Sequence, residues 1–86
     1  FALFIKRDAV DIVQPDLRRS GGPIALLEIG RLANAFGIPY ASHGGEAAHM
    51  SVMACLPNTL YVEMGGGGRL VNGQAEIPQG PGFSWD

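Results

Sequence analysis

The sequence predicts an α/β fold in which short parallel strands alternate with helices. Three short apolar segments have the composition of strands, and two segments with a helical spacing of apolar residues separate them. The predicted strands end at ionisable residues, Asp16, His43 and Glu63, which are 27 and 20 residues apart, about the length of one strand–helix unit. This order is typical of parallel βαβ units.

The composition of the 86-residue chain excludes several classes of protein. Hydrophobic residues make up 47% of it and charged residues 16%, which is enough apolar surface to exclude disorder. The net charge of −2 provides no basic surface for a phosphate backbone, so we expect no nucleic-acid partner. The single cysteine, Cys55, excludes an internal disulfide. No apolar run approaches the roughly 18 residues of a membrane span and no signal peptide is visible, so we expect a cytoplasmic protein without a membrane partner.

The first predicted elements are the end of a helix over residues 1–7 and a strand over residues 11–16. The helix side chains expected to face inward are Leu3, Phe4 and Ile5. Pro15 has no amide N–H and cannot lie in the middle of a sheet, so it marks the C-terminal end of the strand. Residues 17–22 are a predicted loop.

Residues 23–36 have the periodicity of an amphipathic helix. The apolar residues at helical spacing are Ile24, Leu27, Leu32 and Phe36, and the polar stripe is Glu28, Arg31 and Asn34. Pro23 suits the first helical turn, and Gly37 suits the left-handed position after the last.

The pattern then repeats with a strand over residues 38–43, a helix over residues 46–56 and a strand over residues 59–63. Helical spacing places three residues in the core: Met50, Met53 and Cys55. His49 is expected on the surface of this helix or at an interface, because its spacing from His43 does not suit a zinc pair.

A hairpin and an extended tail follow the last strand. Gly65 to Gly68 are interpreted as a hinge, and Asn72 and Gly73 predict a type I′ turn. The tail over residues 78–86 is expected to cover another surface, with three anchoring residues: Phe83, Ser84 and Trp85.

The strand ends form the predicted functional site. Ligands of parallel α/β folds bind beyond the C-terminal ends of the strands, so Asp16, His43 and Glu63 are expected to converge. A carboxylate bonded to one ring nitrogen fixes the tautomer of a histidine and favours its protonated form, leaving the other nitrogen for a substrate. A purely structural role for His43 is the alternative.

Three parallel strands alone would leave two unpaired edges, whereas parallel sheets are normally covered on both faces. A (β/α)8 barrel needs about 250 residues, so this segment would supply about three of its eight strands. A compact three-stranded α/β domain is the alternative. On the barrel interpretation, the isolated 86-residue chain should neither fold stably nor turn over a substrate.

Several motifs together resemble the C-terminal part of the mandelate racemase subgroup of the enolase superfamily. They are VDIVQPD over residues 10–16, Gly21 and Gly22, AFGIP over residues 35–39, Ser42 with His43, and residues 57–63. The resemblance runs from about residue 9 to residue 65, and residues 77–82 resemble the C-terminus of that family. It implies strands six to eight of a TIM-type (β/α)7β barrel over residues 1–65, with residues 66–86 packing on a capping domain. Asp16 at strand six departs from the muconate-lactonising type, which has a lysine there.

The resemblance also implies an activity and its catalytic residues. Asp16 and His43 match the aspartate–histidine pair of the family, and Glu63 matches its acidic residue at strand eight. The implied enzyme is a lyase, an acid-sugar dehydratase that removes the proton alpha to a carboxylate through an enediolate. The alternatives are a racemase or epimerase, which needs a second base on strand two, and a non-catalytic barrel.

Cofactor and partners follow from the same resemblance. The family holds Mg²⁺ with acidic residues of strands three, four and five, so the metal ligands are expected upstream of Phe1 and none within this segment. Arg18 and Arg19 are candidate substrate-binding residues, with solvated loop cations as the alternative. The expected partners are a small carboxylate substrate, the remainder of the barrel with its capping domain, and further copies of the chain in a homo-oligomer.

Overall fold

The computed structural model describes residues 1–64 and 70–83. The elements in chain order are α1 (Ala2–Lys6), α2 (Pro23–Ala35), β1 (Tyr40–Ser42), α3 (Ala47–Met53), β2 (Thr59–Val62), β3 (Leu70–Val71) and β4 (Gln74–Ala75). Helices and parallel strands alternate as far as β2, which confirms the predicted α/β class. The predicted hinge at Gly65 to Gly68 and the predicted anchors Ser84 and Trp85 lie outside the described residues.

The parallel sheet is built around β1. On one side β1 pairs with β2, and Tyr40 lies opposite Thr59. On the other side Val13 forms a single parallel bridge with Tyr40. The predicted strand over residues 11–16 is therefore reduced to one bridge, because β1 is only three residues long and Pro15 has no N–H to donate. The spatial order still follows the chain order, with α2 and α3 as the connections.

Helix α2 packs on the core with only part of its predicted apolar face, of which Leu27 and Leu32 are partly buried against the core. Its buried residues are Leu26, Gly30 and Ala33. Ile24 is 69% exposed and Phe36 is 50% exposed, so both were wrongly expected to face the core. The reason is Gly30, whose missing side chain lets the helix approach Leu56 so closely that a Cβ atom at residue 30 would overlap the leucine.

Three further predictions of buried residues were wrong. Leu3 and Phe4 are exposed, and only Ile5 of α1 is buried. Cys55 is exposed, because α3 ends at Met53 and Cys55 lies in the turn that follows. Met53 is buried as expected.

The hairpin of β3 and β4 has the predicted turn. Leu70 pairs with Ala75 in antiparallel register. Asn72 and Gly73 have φ angles of 52° and 75°, and a type I′ turn requires positive φ at both positions. Within residues 1–64 and 70–83, no helix is both long and apolar enough to cross a bilayer.

Candidate functional site

An aspartate and a histidine meet at the C-terminal ends of neighbouring strand segments. Asp16 follows the segment that bridges to β1, and His43 follows β1 itself. The backbone N–H of His43 donates to the carbonyl oxygen of Pro15 at 3.2 Å, which aligns the ends of the two strand segments. In this arrangement His43 Nδ1 lies 3.0 Å from Asp16 Oδ2. The convergence of these two residues, predicted from parallel strand ends, is therefore present.

The turn after Asp16 fixes its carboxylate. Asp16 Oδ1 accepts hydrogen bonds from the backbone N–H groups of Arg18 at 2.9 Å and Arg19 at 2.8 Å. This is the geometry of an N-cap, in which a side-chain oxygen satisfies the first free N–H groups of a helical turn. These bonds, the Arg19 N–H foremost and the bond to His43 next, lower the pKa of Asp16 to about 2. Asp16 is therefore an anion throughout the physiological pH range.

His43 is oriented by that anion and remains accessible. Its side chain is 55% exposed. An ionised carboxylate can only accept, so Nδ1 carries the proton and Nε2 presents its lone pair. The bond to Asp16, followed by the negative charge of Glu63, raises the pKa of His43 above its ordinary value of 6.5. This is the arrangement of a general base whose basic nitrogen is held in one tautomer.

Glu63 directly follows β2 and is tied to the same strand ends. Its N–H donates to Ser42 Oγ at 3.2 Å. Its carboxylate oxygen Oε2 accepts from Gln14 Nε2 at 3.4 Å, and the same amide donates to the Ser42 carbonyl at 3.2 Å. Glu63 therefore lies at the same edge as the Asp16–His43 pair, and its charge acts on His43.

Gln14 is a site residue that the sequence analysis missed. Residues two apart in an extended segment point to the same face, so the position of Gln14 two residues before Asp16 was the available signal. Its amide links the segment of Asp16 to Ser42 and to Glu63.

Arg18 and Arg19 contribute backbone N–H groups to this site. Both residues are exposed, and the charge of Arg19 opposes the protonation of His43. Their predicted contact with substrate remains a prediction.

His49 is completely buried within the chain, so the expected position on the helix surface or at an interface is wrong. Its Nε2 lies 3.2 Å from the backbone nitrogen of Leu17 and accepts that N–H. The histidine thus joins α3 to the turn that follows Asp16. No sequence spacing pointed to this contact, which arises from the packing of α3 under the strand ends.

Among residues 1–64 and 70–83, no group of three or more His, Cys, Asp or Glu side chains could hold a metal ion. Asp16 bonds directly to His43, and the Glu63 carboxylate accepts a hydrogen bond from Gln14. The described residues therefore do not fit a magnesium site of their own.

Comparisons with known proteins find similar proteins, and each match covers most of the length of this chain. Residues 1–86 match a family described as enolase C-terminal domain-like. The sequence is 37% identical over 96 residues to a D-xylonate dehydratase from Haloferax volcanii, covering 92% of this chain and 23% of that protein. The structure resembles an isomerase from Streptomyces coelicolor A3(2), with a TM-score of 0.74 and 25% identity, covering 96% of this chain and 27% of that chain. This chain thus spans about a quarter of the length of each relative.

Proposed function

The chain belongs to the enolase C-terminal domain-like family, and we propose that it carries the proton-transferring residues of a sugar-acid dehydratase. The family match confirms the superfamily predicted from the sequence motifs. The observation that carries the proposal is the hydrogen bond of 3.0 Å between Asp16 and His43 at adjacent strand ends. The similarity to a D-xylonate dehydratase supports a sugar acid as the substrate class.

In the proposed reaction His43 Nε2 removes the proton alpha to the substrate carboxylate. The electron pair of the broken C–H bond moves into an enediolate, and Asp16 stabilises the imidazolium that forms. His43 then returns this proton to the departing β-hydroxyl, which leaves as water when the C–O bond breaks. The resulting enol becomes a 2-keto-3-deoxy acid, so the net reaction is the loss of one water molecule.

The raised pKa of His43 suits this role. A base is most effective when its pKa lies near the working pH, because it is then both largely neutral and sufficiently basic.

Glu63 has a separate proposed role. In its protonated form it would donate a hydrogen bond to a substrate carboxylate oxygen as negative charge builds there. Arg18 and Arg19 are proposed to approach the substrate from the turn after Asp16.

Within this proposal the chain is the segment of strands six to eight of a TIM-type barrel. Residues 66–86 pack on the capping domain, and copies of the full-length protein assemble into a homo-oligomer. The residues that would hold Mg²⁺ are expected elsewhere in the full-length protein, and the metal would supply stabilisation of the negative charge of the enediolate. The order of the pairing, from Val13 to β1 to β2, supports the barrel because consecutive strands of a barrel are neighbours.

Racemisation or epimerisation of a 2-hydroxy acid is the second candidate. The similarity to an isomerase at a TM-score of 0.74 favours it. The same histidine would remove the α-proton, and a second base would return a proton to the opposite face.

The proposed function is tested with the full-length protein, Mg²⁺ and a panel of aldonates including D-xylonate in deuterated water. Proton NMR follows the α-hydrogen, and a colorimetric assay follows the keto acid. We expect exchange or dehydration with at least one aldonate, and a loss of about 10² to 10⁴-fold in His43→Asn, the usual contribution of a general base. Inverted product without keto acid would support the racemase. Full activity of His43→Asn, or neither exchange nor dehydration with any acid of the panel, would contradict proton abstraction by His43.

A further inference from the structure

Three consecutive N–H groups begin the turn after Asp16, and two different side chains satisfy them. Asp16 Oδ1 accepts the N–H groups of Arg18 and Arg19. The remaining N–H, that of Leu17, donates to His49 Nε2 at 3.2 Å. The first N–H groups of a helical turn have no partner within the turn, so both acceptors are needed to complete it. The turn is therefore stabilised by two acceptors, His49 from helix α3 and Asp16 at the start of the turn itself.

The ring of His49 is buried, and its hydrogen bond with the Leu17 N–H defines its protonation state. The side chain is 1% exposed. Because Nε2 accepts, the ring is neutral with its proton on Nδ1, and Nδ1 has no hydrogen-bond partner among the described residues. Burial lowers the pKa of His49, against the opposing charges of Glu46 and Asp16, and so maintains this neutral form.

A hydrophobic side chain would fill the same space without an unpartnered Nδ1–H, which costs free energy when buried. The acceptor at Nε2 is what a hydrophobic side chain would lack. Glu46 Oε2 lies 3.8 Å from His49 Nε2 and cannot donate a hydrogen bond to it when ionised. The donor to Nε2 is therefore the backbone N–H of Leu17.

We propose that His49 is a positioning residue, which holds the turn at Leu17 so that the Asp16 carboxylate meets His43 Nδ1. The link runs from His49 to the Leu17 N–H, through the backbone to Asp16, and from its Oδ2 to the imidazole. The consequence for turnover rests on the proposed function, whereas the consequence for the protonation of His43 does not.

The acceptor is tested in the full-length protein with His49→Gln and His49→Met, two side chains of similar size and flexibility. Glutamine presents a carbonyl oxygen close to the position of Nε2, and the methionine sulfur accepts only weakly. Two readouts are compared: the pH profile of kcat/KM, and the pH dependence of carbethoxylation of His43 by diethyl pyrocarbonate, followed by peptide mass spectrometry. The reagent modifies neutral imidazole, so the second readout reports the pKa of His43 without turnover.

We expect His49→Gln to stay within a few-fold of the unaltered enzyme. We expect His49→Met to lower kcat/KM about 10 to 100-fold, which is the usual effect of removing the support of a reacting group. The pKa of His43 should fall towards 6.5 in His49→Met, because the bond to Asp16 is the main cause that raises it.

The donor, the backbone N–H of Leu17, is tested independently with Leu17→Pro. This variant keeps the proposal testable if His49→Met does not fold. Residue 17 follows the N-cap, and proline is favoured there because that N–H has no partner within the turn. Leu17→Pro should shift the pKa of His43 in the same direction, and adding His49→Met to it should cause little further change.

An unchanged carbethoxylation profile of His43 in Leu17→Pro, or in a folded His49→Met, would overturn the positioning role. Loss of function in His49→Gln equal to that in His49→Met would do the same. If the unaltered protein is inactive on every acid tested, the proposed function fails, and the carbethoxylation profiles still decide the role of His49.

Discussion

Changing Asp16 to asparagine separates the orientation of His43 from the structure of the turn. In Asp16→Asn the amide oxygen can still accept the N–H groups of Arg18 and Arg19, which lie 2.9 and 2.8 Å from Oδ1. The amide nitrogen then faces His43 Nδ1, at the position of an oxygen that lies 3.0 Å away. Because this nitrogen can only donate, Nδ1 must accept and the ring proton moves to Nε2. His43 then presents a donor where the proposed reaction needs a base.

The expected loss follows from that tautomer. A comparable aspartate-to-asparagine change in serine proteases, which also reverses a histidine tautomer, lowers kcat about 10⁴-fold. We expect α-hydrogen exchange by Asp16→Asn to fall by about 10³ to 10⁴-fold on the same grounds, with little change in KM. The residual activity should begin to fall at a lower pH than that of the unaltered enzyme as the solution is acidified. The reason is that removing the carboxylate lowers the pKa of His43.

The assay is α-hydrogen exchange in deuterated water at saturating substrate between pH 5 and pH 9, roughly spanning the ordinary pKa of histidine. Asp11→Asn, the same chemical change at an exposed residue five positions earlier, is the matched control and should leave the rate unchanged. Exchange by Asp16→Asn within threefold of the unaltered enzyme, with the same pH profile, would refute the reasoning. Equal losses in both variants would also refute it.

Three more predictions follow from the described contacts. Glu63→Ala should lower kcat about 10² to 10³-fold, as removal of an oxyanion donor does, whereas Glu63→Gln should retain more activity because its amide donates; steady-state kinetics that rank Gln below Ala would contradict this role. Gly30→Ala should destabilise the protein by about 1 to 3 kcal/mol, the cost of overpacking, because its methyl group would overlap Leu56; urea denaturation should show it, and an unchanged midpoint would mean that α2 can move. The Asp16–His43 pair should make stability depend on pH in a fixed direction. The raised pKa of His43 contributes stability that is complete below about pH 6.5 and is lost as the pH rises through the folded value. The lowered pKa of Asp16 contributes stability above pH 3.8 that is lost as the pH falls through about 2. The melting temperature lost on Asp16→Asn should therefore be larger at pH 5.5 than at pH 9, and a larger loss at pH 9 would contradict the pairing.

The sequence was sufficient for the features that depend on chain order. Parallel strand ends share one edge of a sheet, so Asp16 and His43 could be placed together from their positions alone. The turn at Asn72 and Gly73 was equally predictable, because its φ angles suit few other residue pairs.

Features that depend on packing were not predictable in the same way. Helical periodicity identified α2, but the close approach of Gly30 to Leu56 turned Ile24 and Phe36 towards the exposed side. The end of α3 at Met53 left Cys55 outside the helix. The buried role of His49 depends on a contact with Leu17, 32 residues earlier in the chain, and only the folded structure shows it.

A crystal structure of the full-length protein with a sugar acid bound tests the role of the histidine most directly. We expect His43 Nε2 to lie roughly 3 to 3.5 Å from the carbon alpha to the carboxylate, the separation of reacting atoms in a productive complex. Asp16 should remain hydrogen-bonded to the opposite ring nitrogen. A bound acid whose α-carbon lies beyond the reach of that imidazole, with another side chain in contact with the α-proton, would contradict the account.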